Sequence, residues 1–352
     1  MNTLAQYGWT SAHQTAWDEL RLTTAVPARV IADFGTSLKI VTPETMTAEL
    51  SGKLAHYTDK TLMPKVGDWV AVTISDNNTV IESVVLRANE IARKVAGKRT
   101  MKQVIAANVD IAFVLLALDN DFSVERLKRF LYQLSISSID PIIVLNKADK
   151  TDDLGSYVAQ IEELALPIIV TTATEGIGVD KIAQSIQAGK TAILLGSSGV
   201  GKSTLTNKLL GRDAQSTGDV KVSDTTGRHT TVHRELFMLP NGGILVDTPG
   251  IRELQLWGTN DELDENYDDI MLLASQCKYA NCRHGSEAGC AVARALADGT
   301  LDQKHYDNYL KMKAELVILE AKNIEKVRQS KRRITQEKKH RRSDTYDSND
   351  NL

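Results

Sequence analysis

The sequence predicts an α/β domain built on a parallel sheet, preceded by a small all-β barrel and followed by a mainly helical module. Three observations predict it. From Asp110 onward, near-continuous apolar runs of strand length alternate with helical stretches, as in Ile111 to Leu118 and then Ser123 to Leu134. Between Pro27 and about Arg93, short β-type runs are broken by glycine, proline and Asn/Asp turns. After Gly250 the chain turns helical and acidic, and its three cysteines all fall beyond that point in one short stretch.

Composition bounds the class. The 352 residues suffice for two or three domains, and 42% hydrophobic with 25% charged content is ordinary for a soluble globular chain. No apolar run approaches the ~18 to 20 residues of a membrane span, and the longest, Ile111 to Leu118, fits a buried strand. Asp18, Glu19 and Arg21 interrupt the N-terminus before an apolar core develops, so no signal peptide is expected, and the expected location is cytoplasmic. The net charge of −3 hides an asymmetry: from Lys322 to Arg342 ten Lys/Arg stand against two Glu.

Residues 1–25 form a polar extension with Trp9 and Trp17, to which the sequence assigns no role. Residues 26–92 carry Ala28 to Ala32, Leu38 to Val41, Trp69 to Ile74 and Val80 to Leu86, separated by turns such as Pro64 to Asp68. About five short strands in this length suggest an OB-fold, a barrel common among oligonucleotide binders. A barrel used only as a spacer is the plainer alternative. Residues 93–108 read as a linker.

Residues 109–255 are the α/β domain. Runs at Ile111 to Leu118, Pro141 to Leu145, Pro167 to Val170 and Thr191 to Leu195 read as strands buried on both faces. Ser123 to Leu134, Asp152 to Leu164 and Val179 to Ala188 read as the helices between and after them.

Gly196, Ser197, Ser198, Gly199, Val200, Gly201, Lys202, Ser203 and Thr204 satisfy GxxxxGK[ST], directly after one of these strands and before a helix starting near Lys202. Gly196 and Gly201 allow the backbone to aim successive N–H groups inward, and the helix N-terminus favours anionic phosphate. Lys202 is expected to reach the β- and γ-phosphates, and Ser203 to place its hydroxyl on Mg²⁺. Such a loop is a phosphate cradle.

Asn146-Lys147-Ala148-Asp149 stands at the C-terminal end of the Pro141 to Leu145 strand, where α/β sheets bind ligands. Asp149 can accept two hydrogen bonds from N1 and N2 of guanine, Asn146 supports the loop, and Lys147 lies along the ring. Adenine offers no such donor pair, and a site built on these bonds rejects it. The loop Thr172-Ala173-Thr174 follows the next strand and is expected to offer backbone N–H groups to guanine O6.

Asp247-Thr248-Pro249-Gly250 follows Ile244 to Val246 and matches DxxG, with Asp247 holding Mg²⁺ through water and Gly250 meeting the γ-phosphate. Gly227 to Thr231 offers a threonine to the metal, Thr231 in preference to Thr230. Ile251 stands where many GTPases place a water-orienting glutamine, so unaided hydrolysis should be slow. His229 is the internal candidate to position water, and a loop-ordering role is its equal alternative.

The guanine reader precedes the phosphate cradle, the reverse of the ordinary order, so the GTPase domain is expected to be circularly permuted. In residues 256–321, Cys277-x4-Cys282-x-His284-x5-Cys290 gathers three thiols and one imidazole into a full tetrahedral Zn²⁺ set with no open position. The odd cysteine count and the reducing compartment argue against disulfides. Residues 322–352 form a basic and then acidic tail, expected to be partly disordered and, over its basic part, suited to RNA phosphates.

Taken together, the order NKAD, GSSGVGKST, GRHTT, DTPG and the terminal cysteine pattern resemble the RsgA family, the GTPases that depend on the small ribosomal subunit. The resemblance covers roughly residues 26–320. It implies a factor in late maturation of the small (30S) subunit, touching rRNA through the barrel and zinc module and stimulated in GTP hydrolysis by the subunit. Family members often carry Glu-Pro-Gly-Cys at the last ligand, where this chain has Glu287-Ala288-Gly289-Cys290. The alternative is a GTP-gated RNA-binding or translation-regulatory module in which hydrolysis is incidental. Nothing in the sequence requires more than a monomer. Permutation also leaves about 27 residues between Gly250 and Cys277, an expected mechanical link from γ-phosphate to zinc module.

Overall fold

The computed structural model describes residues 3–35, 37–57, 62–76, 78–94, 102–212, 234–247, 260–279, 281–285, 287–318, 320–321 and 325. His229, Thr230, Thr231, Gly250, Ile251 and nearly all of the charged tail lie outside them. The chain divides into two units, residues 1–93 with 102–255, and residues 94–101 with 256–352.

In the first unit the N-terminal segment forms α1 (Thr3–Gln6) and α2 (Ser11–Glu19), the second capped by Thr10. Trp9 meets Trp69 edge to face, with ring centroids 4.7 Å apart. The barrel follows as β1 (Val26–Asp33), β2 (Leu38–Val41), β3 (Thr45–Leu50), α3 (Gly52–Tyr57), β4 (Trp69–Ser75) and β5 (Asn78–Val84). Hydrogen bonding closes it in the order β1-β2-β3-β5-β4 and back to β1, with β3 and β5 parallel. This is the OB-like arrangement expected from the strand count, filled by Ala28, Val30, Ile40, Val70, Val72 and Ile81, all wholly buried.

The stretch 93–108, read as a linker, contains part of a two-stranded ribbon of β6 (Glu90–Lys94) and β7 (Lys102–Ala107). Val104, Ile105, Ala106 and Ala107 are buried in it, and this apolar run is the feature a linker would lack.

The α/β part comprises β8 (Ile111–Ala117), α4 (Val124–Ser135), β9 (Asp140–Asn146), α5 (Leu154–Ala159), β10 (Ile168–Val170), α6 (Val179–Ser185), β11 (Thr191–Gly196), α7 (Lys202–Leu210), β12 (Arg234–Met238) and β13 (Ile244–Asp247). The strands lie in the order β10-β9-β8-β11-β13-β12, and adjacent pairs are parallel except β12 with β13. β8 opens a walk through β9 and β10 on one side, and β11 resumes on its other side. The chain thus reverses direction beside β8, and the carboxyl ends of β8 and β11 frame the crevice that ligands occupy in such sheets.

Two elements differ from expectation. The helix expected over Asp152 to Leu164 is shorter, because the Asp153 side chain accepts from Ser156 N and starts α5 at Leu154, and a separate 3-10 turn occupies Glu162–Leu164. β12 was not anticipated. Its apolar residues, Leu236, Phe237 and Met238, form a short run without period-two alternation, and of its five residues only Leu236 is buried. It nevertheless joins the barrel to the α/β sheet, because Ala32 and Asp33 of β1 pair with Glu235 and Arg234.

Buried Arg29 adds a second tie. Its Nη2 donates to Asn108 O at 3.2 Å and Thr191 Oγ1 at 2.9 Å, its Nε to Gly67 O at 3.3 Å, and its Nη1 to Tyr7 O. The N-terminal extension is therefore part of the first unit's structure. Burial pushes the guanidinium down to about 10.

The second unit packs α8 (Asn260–Glu265), α9 (Asp268–Ser275), α10 (Ala291–Asp298) and a helix over 303–318 around Leu263, Ile270, Val292 and Met312, all wholly buried.

Candidate functional site

β9 and β11 flank β8 in parallel, with Ala117 opposite Asn146 and Leu115 opposite Gly196. The register brings the predicted base reader and phosphate cradle together at the carboxyl ends of these strands. Asn146, 2% exposed, joins three loops there. Its Nδ2 donates to Val200 O at 2.8 Å, and its Oδ1 accepts from Thr171 Oγ1 at 2.9 Å and Ala173 N at 3.1 Å.

This packing dictates the glycine at 201. Its φ is +105°, a region that L side chains avoid, and a Cβ there would collide with the Asn146 amide. α7 begins at the next residue, so its first-turn N–H groups, which have no acceptor within the helix, lie beside the predicted cradle. Lys202 folds back to donate from Nζ to Gly196 O at 2.8 Å and Ser197 O at 2.6 Å. Two of its three ammonium protons are so placed, and the third remains for an anion.

Burial pushes Lys202 down to about 8, against the opposing pull of Asp247 and Asp121. A polyphosphate bound there would hold the proton, so the pKa would rise on binding and binding would take up a proton above pH 8. GDP affinity is therefore expected to be flat below pH 8 and to fall as pH rises through it, by at most about tenfold per pH unit. Calorimetry at pH 7, 8 and 9 in buffers of different ionisation enthalpy checks this, and constant affinity to pH 9 contradicts it.

Lys147 adopts the left-handed conformation, φ 63°, and its Nζ lies 2.8 Å from Asp119 Oδ2. Asp149 sits in the 3-10 turn Ala148–Lys150 with Oδ2 3.2 Å from Lys150 Nζ. The N–H groups of Thr172 and Ala173, expected to meet the base, are instead engaged by Ile177 O and Asn146 Oδ1. Asp247 ends β13, one residue past the pair Ile193 and Val246. Sequence reasoning missed Thr171, Asp119 and Asp121, which touch these motifs from outside them.

In the second unit, Cys277, Cys282, His284 and Cys290 present donor atoms all within 4.8 Å of one another. Cys277 Sγ lies 3.8 Å from Cys290 Sγ and 3.5 Å from His284 Nδ1, and Cys290 Sγ lies 3.7 Å from that nitrogen. Tetrahedral Zn²⁺, with bonds of about 2.3 Å to sulfur and 2.0–2.1 Å to nitrogen, requires edges of roughly 3.8 and 3.6 Å. The donor set therefore fits zinc.

Its backbone supports thiolates. Ala291 N and Ala293 N donate to the sulfurs of Cys277 and Cys290 at 3.4 and 3.3 Å, and Cys290 caps α10. Burial opposes ionisation of Cys277, but the N–H groups of Ala291 and Val292 hold its thiol below the ordinary value. Glu287 fixes the loop by accepting from Arg283 N and Gly285 N.

The family model described as RsgA GTPase matches residues 84–257. A relative from Syntrophotalea carbinolica, named small ribosomal subunit biogenesis GTPase RsgA, is 36% identical over 346 residues, spanning 94% of this chain and 95% of its own. The chain belongs to the RsgA GTPase family. A second RsgA, from Oceanobacillus iheyensis, is 39% identical over 292 residues, 81% of this chain and 83% of that protein. Among solved structures, YjeQ from Thermotoga maritima superposes with a TM-score of 0.61 at 26% identity, covering 83% of this chain and 99% of its own. A model described as 50S ribosome-binding GTPase matches residues 191–341, beginning at the first residue of β11. That start is intelligible in an RsgA chain, because the ordinary motif order begins at the cradle.

Proposed function

We propose that this RsgA-family chain hydrolyses GTP as an assembly factor in late maturation of the small ribosomal subunit, binding its rRNA and stimulated by it. One observation carries the nucleotide reading: buried Asn146 joins the cradle at Val200 to the base-reading loops at Thr171 and Ala173. Small-subunit biogenesis rests on the names of relatives that span nearly the whole chain.

Asp149 accepts from the guanine N1 and N2 donors, and the backbone of the loop Thr172-Ala173-Thr174 supplies the donor to O6. Lys202 and the first-turn amides of α7 bind the phosphates. Ser203, Thr231 and Asp247 are the residues that would hold Mg²⁺, Asp247 through water, and the ion would neutralise phosphate charge. Gly250 meets the γ-phosphate, and His229 or a group supplied by the subunit positions the attacking water. Zn²⁺ at Cys277, Cys282, His284 and Cys290 is structural, one ion per chain. Among the described residues no helix is long and apolar enough to cross a membrane. We place the protein in the cytoplasm, as a monomer between encounters with the subunit.

Co-sedimentation with purified small subunits tests the cycle. Retention with a non-hydrolysable GTP analogue and release with GDP is the expected outcome. Equal retention in both states overturns the nucleotide-gated reading.

A further inference from the structure

The connection between β8 and α4 carries two carboxylates, and each reaches a different half of the nucleotide site. Asp119 Oδ2 lies 2.8 Å from Lys147 Nζ in the base-reading loop. Asp119 Oδ1 accepts from Asp121 N at 2.9 Å. Asp121 Oδ2 in turn accepts from the hydroxyl of Ser197, second residue of the cradle, and from Arg126 Nη1 at 2.8 Å. Arg126 Nη1 also donates to Asp121 O at 3.1 Å, and Asp119 O accepts from Phe122 N at 3.0 Å, so the loop is held in its own turn. A hydrogen-bonded chain thus runs from Lys147 through Asp119 and Asp121 to Ser197, beside the direct tie made by Asn146.

Charge makes this arrangement informative. Carboxylates next to a polyphosphate site repel the ligand, so Asp119 and Asp121 do not serve there by attracting it. Their oxygens instead orient the Lys147 ammonium and the Ser197 hydroxyl, while Arg126 and Asp121 N hold the carboxylates in place. Hydrogen bonds with an ionised partner are about twice as strong as neutral ones, and this suits them to fixing loop geometry.

We propose that Asp119 and Asp121 are positioning residues that couple guanine recognition to the phosphate cradle, so that disturbing the cradle at Ser197 relaxes discrimination at the base. The inference rests on reading 146–149 and 196–204 as the guanine nucleotide site.

The test measures affinity for GDP and for inosine diphosphate, which lacks the N2 amino group, in the full chain. Wild type should prefer GDP; equal affinity for both would sink the nucleotide reading itself rather than the coupling. Ser197→Ala, Asp121→Ala and Asp119→Ala are each expected to lower the GDP-to-inosine-diphosphate ratio about three- to tenfold. Asp121→Asn keeps an acceptor for Ser197 and should preserve most of the ratio. Asp119→Ala combined with Ser197→Ala should reduce it no further than either alone, because both break one chain.

If Ser197→Ala and Asp121→Ala weaken both nucleotides by the same factor, the loop merely supports the cradle and the coupling is refuted. Unchanged melting temperature verifies folding. Should Asp121→Ala not fold, Ser197→Ala, which removes a single hydroxyl, decides the matter alone.

Discussion

Asp149→Asn is expected to weaken GTP binding by ~10² to 10³ and to make xanthosine triphosphate the preferred nucleotide, because a site built on hydrogen bonds penalises the partner that leaves them unmade. The asparagine keeps one acceptor for N1–H but presents an amide donor to the guanine amino group. Xanthine carries a carbonyl at that position and accepts from the same amide. The side chain of Asp149 is 29% exposed, so water softens the loss relative to a sealed site. Calorimetric titration of both nucleotides checks the switch, and unchanged GTP affinity contradicts the assignment of the base.

Removal of zinc has the largest expected structural effect. Structural zinc sites contribute on the order of 10 kcal/mol to folding, more than a module of this size gains from its own core. Chelation, or Cys290→Ser, should abolish the cooperative melting of the second unit and much of its helical signal. GDP binding by the first unit should persist, since its barrel and α/β sheet share one hydrogen-bonded framework. A colorimetric chelator should release one Zn²⁺ per chain. Full retention of helicity after complete chelation would show that the four ligands are not the fold's keystone.

Much of this architecture is legible in the amino-acid order. The inverted motif order anticipates a sheet that is walked from β8, because each motif marks the carboxyl end of a buried strand, and buried parallel strands announce themselves as apolar runs. The barrel is legible through its turns, and the metal site through its spacing. Interactions made by single residues across long separations are not. Arg29 meets Tyr7, Asn108 and Thr191 only after folding. β1 holds β12 by two residue pairs, too few for a pattern. β12 shows one buried side chain, and β7 carries an apolar run that its surroundings disguise as a linker. Asp119, Asp121 and Thr171 lie outside every motif, and nothing local marks them. His229, Thr231 and Gly250 fall outside the described residues, so their roles stand on sequence.

GTP turnover by zinc-replete protein, with and without purified small ribosomal subunits at low salt, is the decisive measurement. Low salt preserves contacts to RNA phosphates, and Ile251 leaves the isolated enzyme without the usual water-orienting side chain. Turnover should be slow alone and rise by ~10² or more with small subunits, since completion of a GTPase site by a partner is worth 10³–10⁵ elsewhere. Large subunits should have little effect, and Lys202→Ala should show no turnover under any condition. Turnover that small subunits leave unchanged would contradict a subunit-dependent GTPase.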